Sequence, residues 1–454
     1  MTPAPTTMLI RHILSQQRPL PRVRVRGWIR TRRDAKGFSF LEINDGSTLS
    51  NLQVVVSSQT PGYREIKNMT TGACVEVVGE IVTSIGKGQK WEMQAREISL
   101  LGKADPGHYP LQKKRHSDEF LRTIAHLRVR TNKYSAMFRI RSRCAYLIHK
   151  FFQERDFFYI HTPILTSSDC EGAGELFEVT ATRGTRNFFD RKCYLTVSGQ
   201  LTAEAMCMGM GRVYTFGPTF RAEDSNTPRH AAEFWMVEPE MAFFDLEDDM
   251  DLAEELLRWI CISIIEEAEE DLNLFARFLD RELFSRLKTL EGAFPRISYG
   301  DALEILKEAH KKQGFEYEPR WGEDIHTEYE RFLTENYFKG PVIIYNYPQE
   351  IKPFYMKQNP DGLTVAAMDI ILPRVGEVIG GSQREEDMER LLKRMEEMGL
   401  STDEYQWYLD LRRFGSAIHS GFGLGFERLL MFLTGINNIR DVIPFPRTPG
   451  RLRY

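Results

Sequence analysis

Apolar and polar positions change their rhythm near residue 105. From Arg22 to Ile29 the chain reads R-V-R-V-R-G-W-I, an alternation of period 2 that predicts a half-buried strand. F-S-F-L-E-I from Phe38 to Ile43 repeats the pattern, a D-G-S turn follows at Asp45, and L-Q-V-V-V runs from Leu52 to Val56. Two more strand-like runs cover 73–82 and 91–98. Five short strands within about 80 residues, separated by turn residues, predict a small closed barrel. Residues 102–120 are polar, contain two prolines and read as a hinge. Beyond them, Phe138, Ile140, Cys144, Leu147, Ile148, Phe151 and Phe152 recur at helical spacing, and a strand F-F-Y-I-H-T-P ends at Pro163. Long amphipathic helices are expected near 247–274 and 385–398, and 280–340 is charged and mostly helical, an insertion on a main sheet. The fold class is therefore α+β: an antiparallel-sheet body (126–454) preceded by a barrel (1–104) and a linker (105–125).

Composition narrows the class. With 454 residues, 42% hydrophobic and 27% charged, the chain has the make-up of a multi-domain globular protein. It is neither disordered nor collagen-like, and no stretch nears the ~18 apolar residues a spanning helix needs, so no membrane partner is expected. The net charge of −4 conceals an asymmetry. Residues 1–104 carry 15 Lys+Arg against 8 Asp+Glu, and the remainder carries 45 against 56. A basic barrel on an acidic body suits a polyanion and matches the oligonucleotide-binding (OB) type, the alternative being a generic barrel with a solvated surface bias and no ligand. Six cysteines (74, 144, 170, 193, 207, 261) show no C-x-x-C pair, as in a reduced, cytoplasmic protein. The absence of an apolar N-terminal run argues against secretion, and the acid-poor start leaves an organellar leader as a minor option.

Three segments carry candidate chemistry. F-R-A-E-D-S-N-T-P-R-H-A-A-E-F-W-M-V-E-P-E, Phe220 to Glu240, reads as strand, loop, strand. Arg221 and Glu223 would share one face of the first strand, and Phe234, Glu238 and Glu240 one face of the second. That sets a guanidinium, an aromatic plate and carboxylates over one floor. Arg221 suits a phosphate or carboxylate, and Arg229 and His230 stand where they could hold the far end of a polyphosphate. G-E-V-I-G-G-S-Q-R-E-E, from Gly376, offers Glu377 as an oxygen ligand for Mg²⁺ and places Arg384 at a helix start. G-F-G-L-G-F-E-R-L-L, from Gly421, leads three glycines into a helix with Arg428 in its first turn; it is neither a Rossmann nor a P-loop signature. Taken singly, each segment also reads as an ion-paired hairpin, a solvated strand end or an ordinary strand–helix turn.

Taken together, they resemble a known family. F-R-A-E…R-H…E-F is similar to motif 2 of the class II aminoacyl-tRNA synthetases, G-F-G-L-G-F-E-R to motif 3, and 136–163 to motif 1. The barrel places the resemblance in the aspartyl, asparaginyl and lysyl subgroup. Y-N-Y-P-x-E-I-K-x-F-Y-M (345–356), V-A-A-M-D (365–369), G-G-S-Q-R-E-E and N-I-R-D-V-I-P-F-P-R-T-P resemble its asparaginyl branch. The resemblance implies that ATP, L-asparagine and tRNA(Asn) are substrates and that the chain forms a homodimer through 136–163. It implies that Arg221 and Arg428 are catalytic, and that Arg221, Glu223, Arg229, His230, Phe234, Glu377, Gly425, Glu427 and Arg428 bind ATP, with Mg²⁺ on Glu377. Gly380 stands where related aspartyl enzymes have a serine. Glu171, Gln200, Glu238 and Arg384 are implied for the amino acid, and Arg30, Phe40 and Gln53 for the anticodon.

The choice of asparagine has a physical argument. Aspartyl enzymes of this type read Q-L-Y-K, and their lysine neutralises the substrate carboxylate; here Gln200 to Ala203 read Q-L-T-A. A buried carboxylate without a cation is strongly disfavoured, whereas an amide costs far less. Arg384 would donate to the amide carbonyl and Glu238 accept from its NH₂, repelling aspartate. The alternatives are an aspartyl enzyme, a non-catalytic RNA-binding paralogue and a tRNA-independent asparagine synthetase. Phe40 has its own alternative, a core residue of the barrel.

Overall fold

The computed structural model describes residues 4–86, 88–167, 176–180, 188–225 and 227–454. Two compact units emerge, residues 1–138 and 139–454.

In the first unit, β1 (Leu20–Ala35), β2 (Phe38–Asn44), β3 (Leu52–Ser57), β4 (Cys74–Thr83) and β5 (Trp91–Gly102) form the barrel. β1 pairs with β2 and β2 with β3 antiparallel, β3 with β5 parallel, β5 with β4 antiparallel, and β4 returns to β1, so the sheet closes on itself. The period-2 pattern decides which side faces in. Val23, Val25 and Ile29 are buried while Arg26 and Trp28 are exposed. In β2 the inward phase is Ser39, Leu41 and Ile43, so Phe38, Phe40 and Glu42 face outward, and Asn44 at the strand end is also buried. Closure leaves no open edge, which removes the usual hazard of an exposed strand.

α1 (Asn132–Gln153) runs from the first unit into the second and buries Ile140, Cys144, Leu147, Ile148, Phe151 and Phe152 of the stripe its sequence spacing predicts, with Phe138 half-buried. The strand expected to end at Pro163 is short, β6 (Phe158–Tyr159). The sheet is then built from β7 (Arg212–Phe220), β8 (Glu233–Ala242), β9 (Arg296–Ser298), β10 (Val342–Pro348), β11 (Thr364–Leu372), β12 (Gly376–Gln383) and β13 (His419–Gly425). Their order is β9-β10-β11-β12-β13-β8-β7-β6. The six central strands are antiparallel, and β9 and β6 pair parallel at the two edges. The 280–340 region carries the helices Leu283–Lys288, Tyr299–Gln313 and Thr327–Arg331 and also supplies the edge strand β9.

Two long helices differ from their expected bounds. The run near 247–274 breaks at Ala268 into Leu246–Glu267 and Glu269–Phe278, the first started by a capping box of Asp245 and Asp248. The helix expected over 385–398 spans Met388–Glu397, because Asp387 caps it by accepting from the Arg390 N–H at 2.9 Å. Behind the sheet, the helix Leu246–Glu267 buries Leu256, Leu257, Ile260 and Ile264. The helix after β13, Phe426–Thr434, ends at Gly435, whose φ of 72° is the left-handed conformation that terminates helices.

Candidate active site

β8 and β13 are neighbours with Met236 opposite Gly425 and Glu240 opposite Gly421, while β12 sets Gly380 opposite Gly423. This register brings the three sequence segments onto one floor. A single cavity is lined by Arg221, Glu223, Arg229, His230, Phe234, Glu377, Gly425, Glu427 and Arg428, with Met236, Val378 and Gly423 beneath. Arg221 and Arg428, 207 positions apart in the numbering, thus face the same space.

The first hairpin strand ends at Phe220, so Arg221 and Glu223 sit on the connecting segment rather than on a strand face. Strand geometry does not align them; a weak pairing across 3.9 Å does. The Arg221 guanidinium lies 5.6 Å from the centre of the Phe234 ring, leaving an aromatic plate beside a cation. Arg428 donates from Nη1 to the Glu377 carbonyl at 2.8 Å, with the Glu377 carboxylate 3.7 Å away. His230 Nδ1 is 2.5 Å from Thr227 Oγ1 and Nε2 is 3.9 Å from Glu223. Burial and three nearby arginines (428, 221 and 229) hold the His230 pKa below its usual value against the pull of Glu223, so the ring is neutral at pH 7.

Two of the predicted nucleotide residues have their polar groups turned to the protein. Arg229 lines the cavity, but its guanidinium is paired with Glu330 at 2.9 Å and reaches Thr327 at 3.3 Å. Glu330 also accepts from the Glu377 N–H at 2.8 Å, which ties the charged helical region to the strand start. Glu427 accepts from the Trp235 N–H at 2.9 Å and pairs with Arg141 at 2.7 Å. Its 1% exposure makes it a strut between two elements.

The amino-acid candidates lie deeper. Arg384 does not begin a helix; it follows β12, bridges to Met356, and is 2% exposed. Its guanidinium pairs with both oxygens of Glu240, Nε at 3.2 Å and Nη2 closer, and Nη1 donates to Ser382 Oγ at 2.9 Å. Burial alone would weaken its charge, but Glu240 and Glu204 raise its pKa, so it stays cationic. Gly421 must be glycine here: a β-carbon would sit 2.4 Å from the Glu240 carboxylate carbon. Glu238 accepts from the Ser198 hydroxyl and from the Gly199 N–H at 3.1 Å, at the start of the helix Gln200–Met210. Gln200 donates to Glu204 at 3.0 Å. Ala203 is fully buried in an apolar cluster with Ile160, Cys207, Val213 and Ala242. Glu171 lies outside the described residues.

Several residues around the site were not singled out from the sequence. Glu204 is fully buried and accepts from Tyr408 at 2.8 Å and Arg412 at 3.1 Å, with His419 Nε2 also at 3.1 Å. Burial pushes its pKa up, but Arg412 and then His419 bring it below the ordinary range. A glutamate inside the apolar run L-T-A-E-A-M-C-M was the available signal. Asp369 pairs with Lys352 at 2.9 Å. Asp369 Oδ1 and Glu377 Oε1 each lie 3.3 Å from where a β-carbon on Gly380 would be, so two carboxylates flank one small open spot. Behind the sheet, both oxygens of Asp249 are buried with no hydrogen-bond partner among the described residues, and burial raises its pKa well above normal.

On the barrel, Phe40 is half-buried on the outward face, with the Arg33 guanidinium 5.1 Å from its ring centre. Its neighbour Leu41 takes the core position instead. Gln53 donates to Glu92 at 3.1 Å, and Arg30 sits at the bulge between Ile29 and Thr31.

Residues 117–449 match the family described as tRNA synthetases class II (D, K and N), and 23–101 match the OB-fold nucleic acid binding domain. The chain is 60% identical to an asparagine–tRNA ligase of Nitratidesulfovibrio vulgaris and 58% identical to that of Oleidesulfovibrio alaskensis, each over 97% of this chain and 98% of the relative. Among solved structures it is similar to the Pyrococcus horikoshii asparaginyl-tRNA synthetase complexed with asparaginyl-adenylate (TM-score 0.88, 34% identity, 98% of this chain and 99% of that one). It is also similar to the Entamoeba histolytica asparaginyl-tRNA synthetase in complex with asparaginyl-adenylate (TM-score 0.86, 26% identity, 100% of both).

Proposed function

The chain belongs to the class II tRNA synthetases, in their asparaginyl branch, and we propose from that premise that it ligates L-asparagine to tRNA(Asn) at the expense of ATP. The observation that carries the reading is the convergence of Arg221, Phe234, Glu377 and Arg428 on one cavity beside a pocket whose cation is already balanced.

ATP lies with its adenine on Phe234 and its phosphates between Arg221 and Arg428. Glu223 faces the base, and His230 stands near the terminal phosphate. Each cation now rests on an oxygen of the protein, and phosphate oxygens take over those contacts when ATP enters. The cavity encloses about 130 Å³ in its present form, so that exchange accompanies ATP entry. The asparagine carboxylate attacks the α-phosphorus in line and pyrophosphate leaves. No protein nucleophile is needed: the arginines align the reactants and cancel the growing negative charge. The 3′-OH of the terminal tRNA adenosine then attacks the adenylate carbonyl, releasing AMP. Glu377 and Asp369 are the carboxylates that would hold Mg²⁺, which suits an ion bound through one or two carboxylates plus phosphate oxygens. When bound, the ion neutralises phosphate charge.

Arg384 and Glu238 read the substrate amide, Gln200 lines the pocket, and Glu171 meets the α-amino group. Because Glu240 already balances Arg384, an aspartate would add an unpaired negative charge next to Glu238. The aspartyl alternative is not favoured. Residues 1–104 form the anticodon-binding domain, 105–125 a hinge and 126–454 the catalytic domain. Phe40 stacks on an anticodon base and Gln53 reads an edge, with Arg30 at the backbone. The chain works in the cytoplasm as a homodimer through 136–163. The test is charging of a tRNA(Asn) transcript with labelled asparagine or aspartate. Asparagine alone should be transferred, and Phe40→Ala should raise the KM for tRNA while leaving adenylate formation intact. Transfer of aspartate at similar efficiency overturns the reading.

A further inference from the structure

Beside the nucleotide cavity lies a larger one of about 600 Å³ for which adenylate formation as derived above has no use. Arg229 and His230 line both, so those two side chains are the wall between them. The far side is lined by Arg286, Arg331 and Arg374, which come from three separate segments. Asp280 balances two of these, pairing with Arg286 and, at 2.7 Å, with Arg374. Glu330 balances Arg229 at 2.9 Å. Arg331 is different: it is exposed and has no ion-pair or hydrogen-bond partner among the described residues. The remaining lining carboxylate, Glu335, accepts from the Arg374 N–H at 2.9 Å. Thr227 and Thr327 add hydroxyl groups to the lining.

A cavity with an unspent guanidinium, walled off from the triphosphate site by an arginine that serves both spaces, suits a small polyphosphate anion. We propose that it is the exit site for inorganic pyrophosphate. The leaving diphosphate passes the Arg229–His230 wall and is received by Arg331. Arg229 follows it, exchanging phosphate for Glu330 and restoring the wall. The inference rests on the adenylate-forming reading above. No bond is made or broken in this step; it moves the product of the first half-reaction.

The test is asparagine-dependent ATP–pyrophosphate exchange, in which pyrophosphate must enter by the same route, with KM measured separately for pyrophosphate, ATP and asparagine. Loss of one charged donor to a phosphate in a partly open site should raise the KM for pyrophosphate roughly five- to twentyfold in Arg331→Gln. Arg331→Glu should raise it further and Arg331→Lys should restore most of it, while the KM for ATP stays within about twofold. If the wild type exchanges but Arg331→Gln and Arg331→Glu keep its KM for pyrophosphate, the exit site is overturned and the adenylate reading stands. A raised KM for tRNA in charging, with pyrophosphate unaffected, assigns the cavity to tRNA phosphates and also overturns it. A wild type without exchange overturns the adenylate reading and the exit site together.

Discussion

The two halves of the proposed catalytic site are built on opposite principles. On the nucleotide side, Arg221 and Arg428 are partly exposed and rest on oxygens that phosphate can replace. On the amino-acid side, Arg384 and Glu240 are buried and paired with each other, and Glu204 is buried against Arg412 and His419. Exposed pairs contribute little and exchange easily, whereas a buried pair that loses one member leaves an uncompensated charge. In the proposed reading, the side that admits and releases a polyanion uses loose contacts. The side proposed to distinguish an amide from a carboxylate uses fixed ones, because a pocket of specific hydrogen bonds discriminates only if its groups cannot turn away.

The largest effect should come from the fixed half. Glu204→Ala strands Arg412 and His419 in the core and should cost about 3–5 kcal/mol of stability, read by denaturant unfolding. A loss below about 1 kcal/mol would mean the network is not the rigid element described. Next is the loose half: Arg428→Ala should lower the exchange rate by about 10²–10³ with little change in thermal midpoint. A matching collapse of stability would erase the contrast between the halves.

Much of this contrast was hidden in the sequence. The alternation R-V-R-V-R-G-W-I gave away a strand, and the hairpin from Phe220 announced itself by its turn residues. Period 2 does not say which phase faces inward, so Phe40 was open to two readings until Leu41 took the core position. Arg384 was legible as a cation, but its partner Glu240 is 144 residues away and is brought to it only by sheet order. Arg229 pointed to phosphate by spacing, and nothing local revealed Glu330, which comes from the charged helical region. What was legible is chemistry carried by one segment; what was not is pairing between segments.

Smaller effects sharpen the comparison. Glu238→Gln removes a carboxylate held by Ser198 and Gly199 and should cut the preference for asparagine over aspartate by about tenfold or more, read as a ratio of kcat/KM values. The smallest concerns Asp249. Its folded pKa lies above the unfolded value of about 3.9, so the folded state holds a proton that the unfolded state releases, and stability is lost as pH rises above about 4. Asp249→Asn abolishes that loss. Its thermal midpoint should match the wild type below about pH 4 and exceed it as pH rises above that; a constant offset would show that Asp249 is ionised in the fold.

The most direct measurement is ATP–pyrophosphate exchange on the unmodified protein with asparagine and with aspartate at equal concentration. Exchange with asparagine, and less than about a hundredth of it with aspartate, is the predicted result for a pocket whose cation Arg384 is already paired with Glu240. Equal exchange with both amino acids would contradict it.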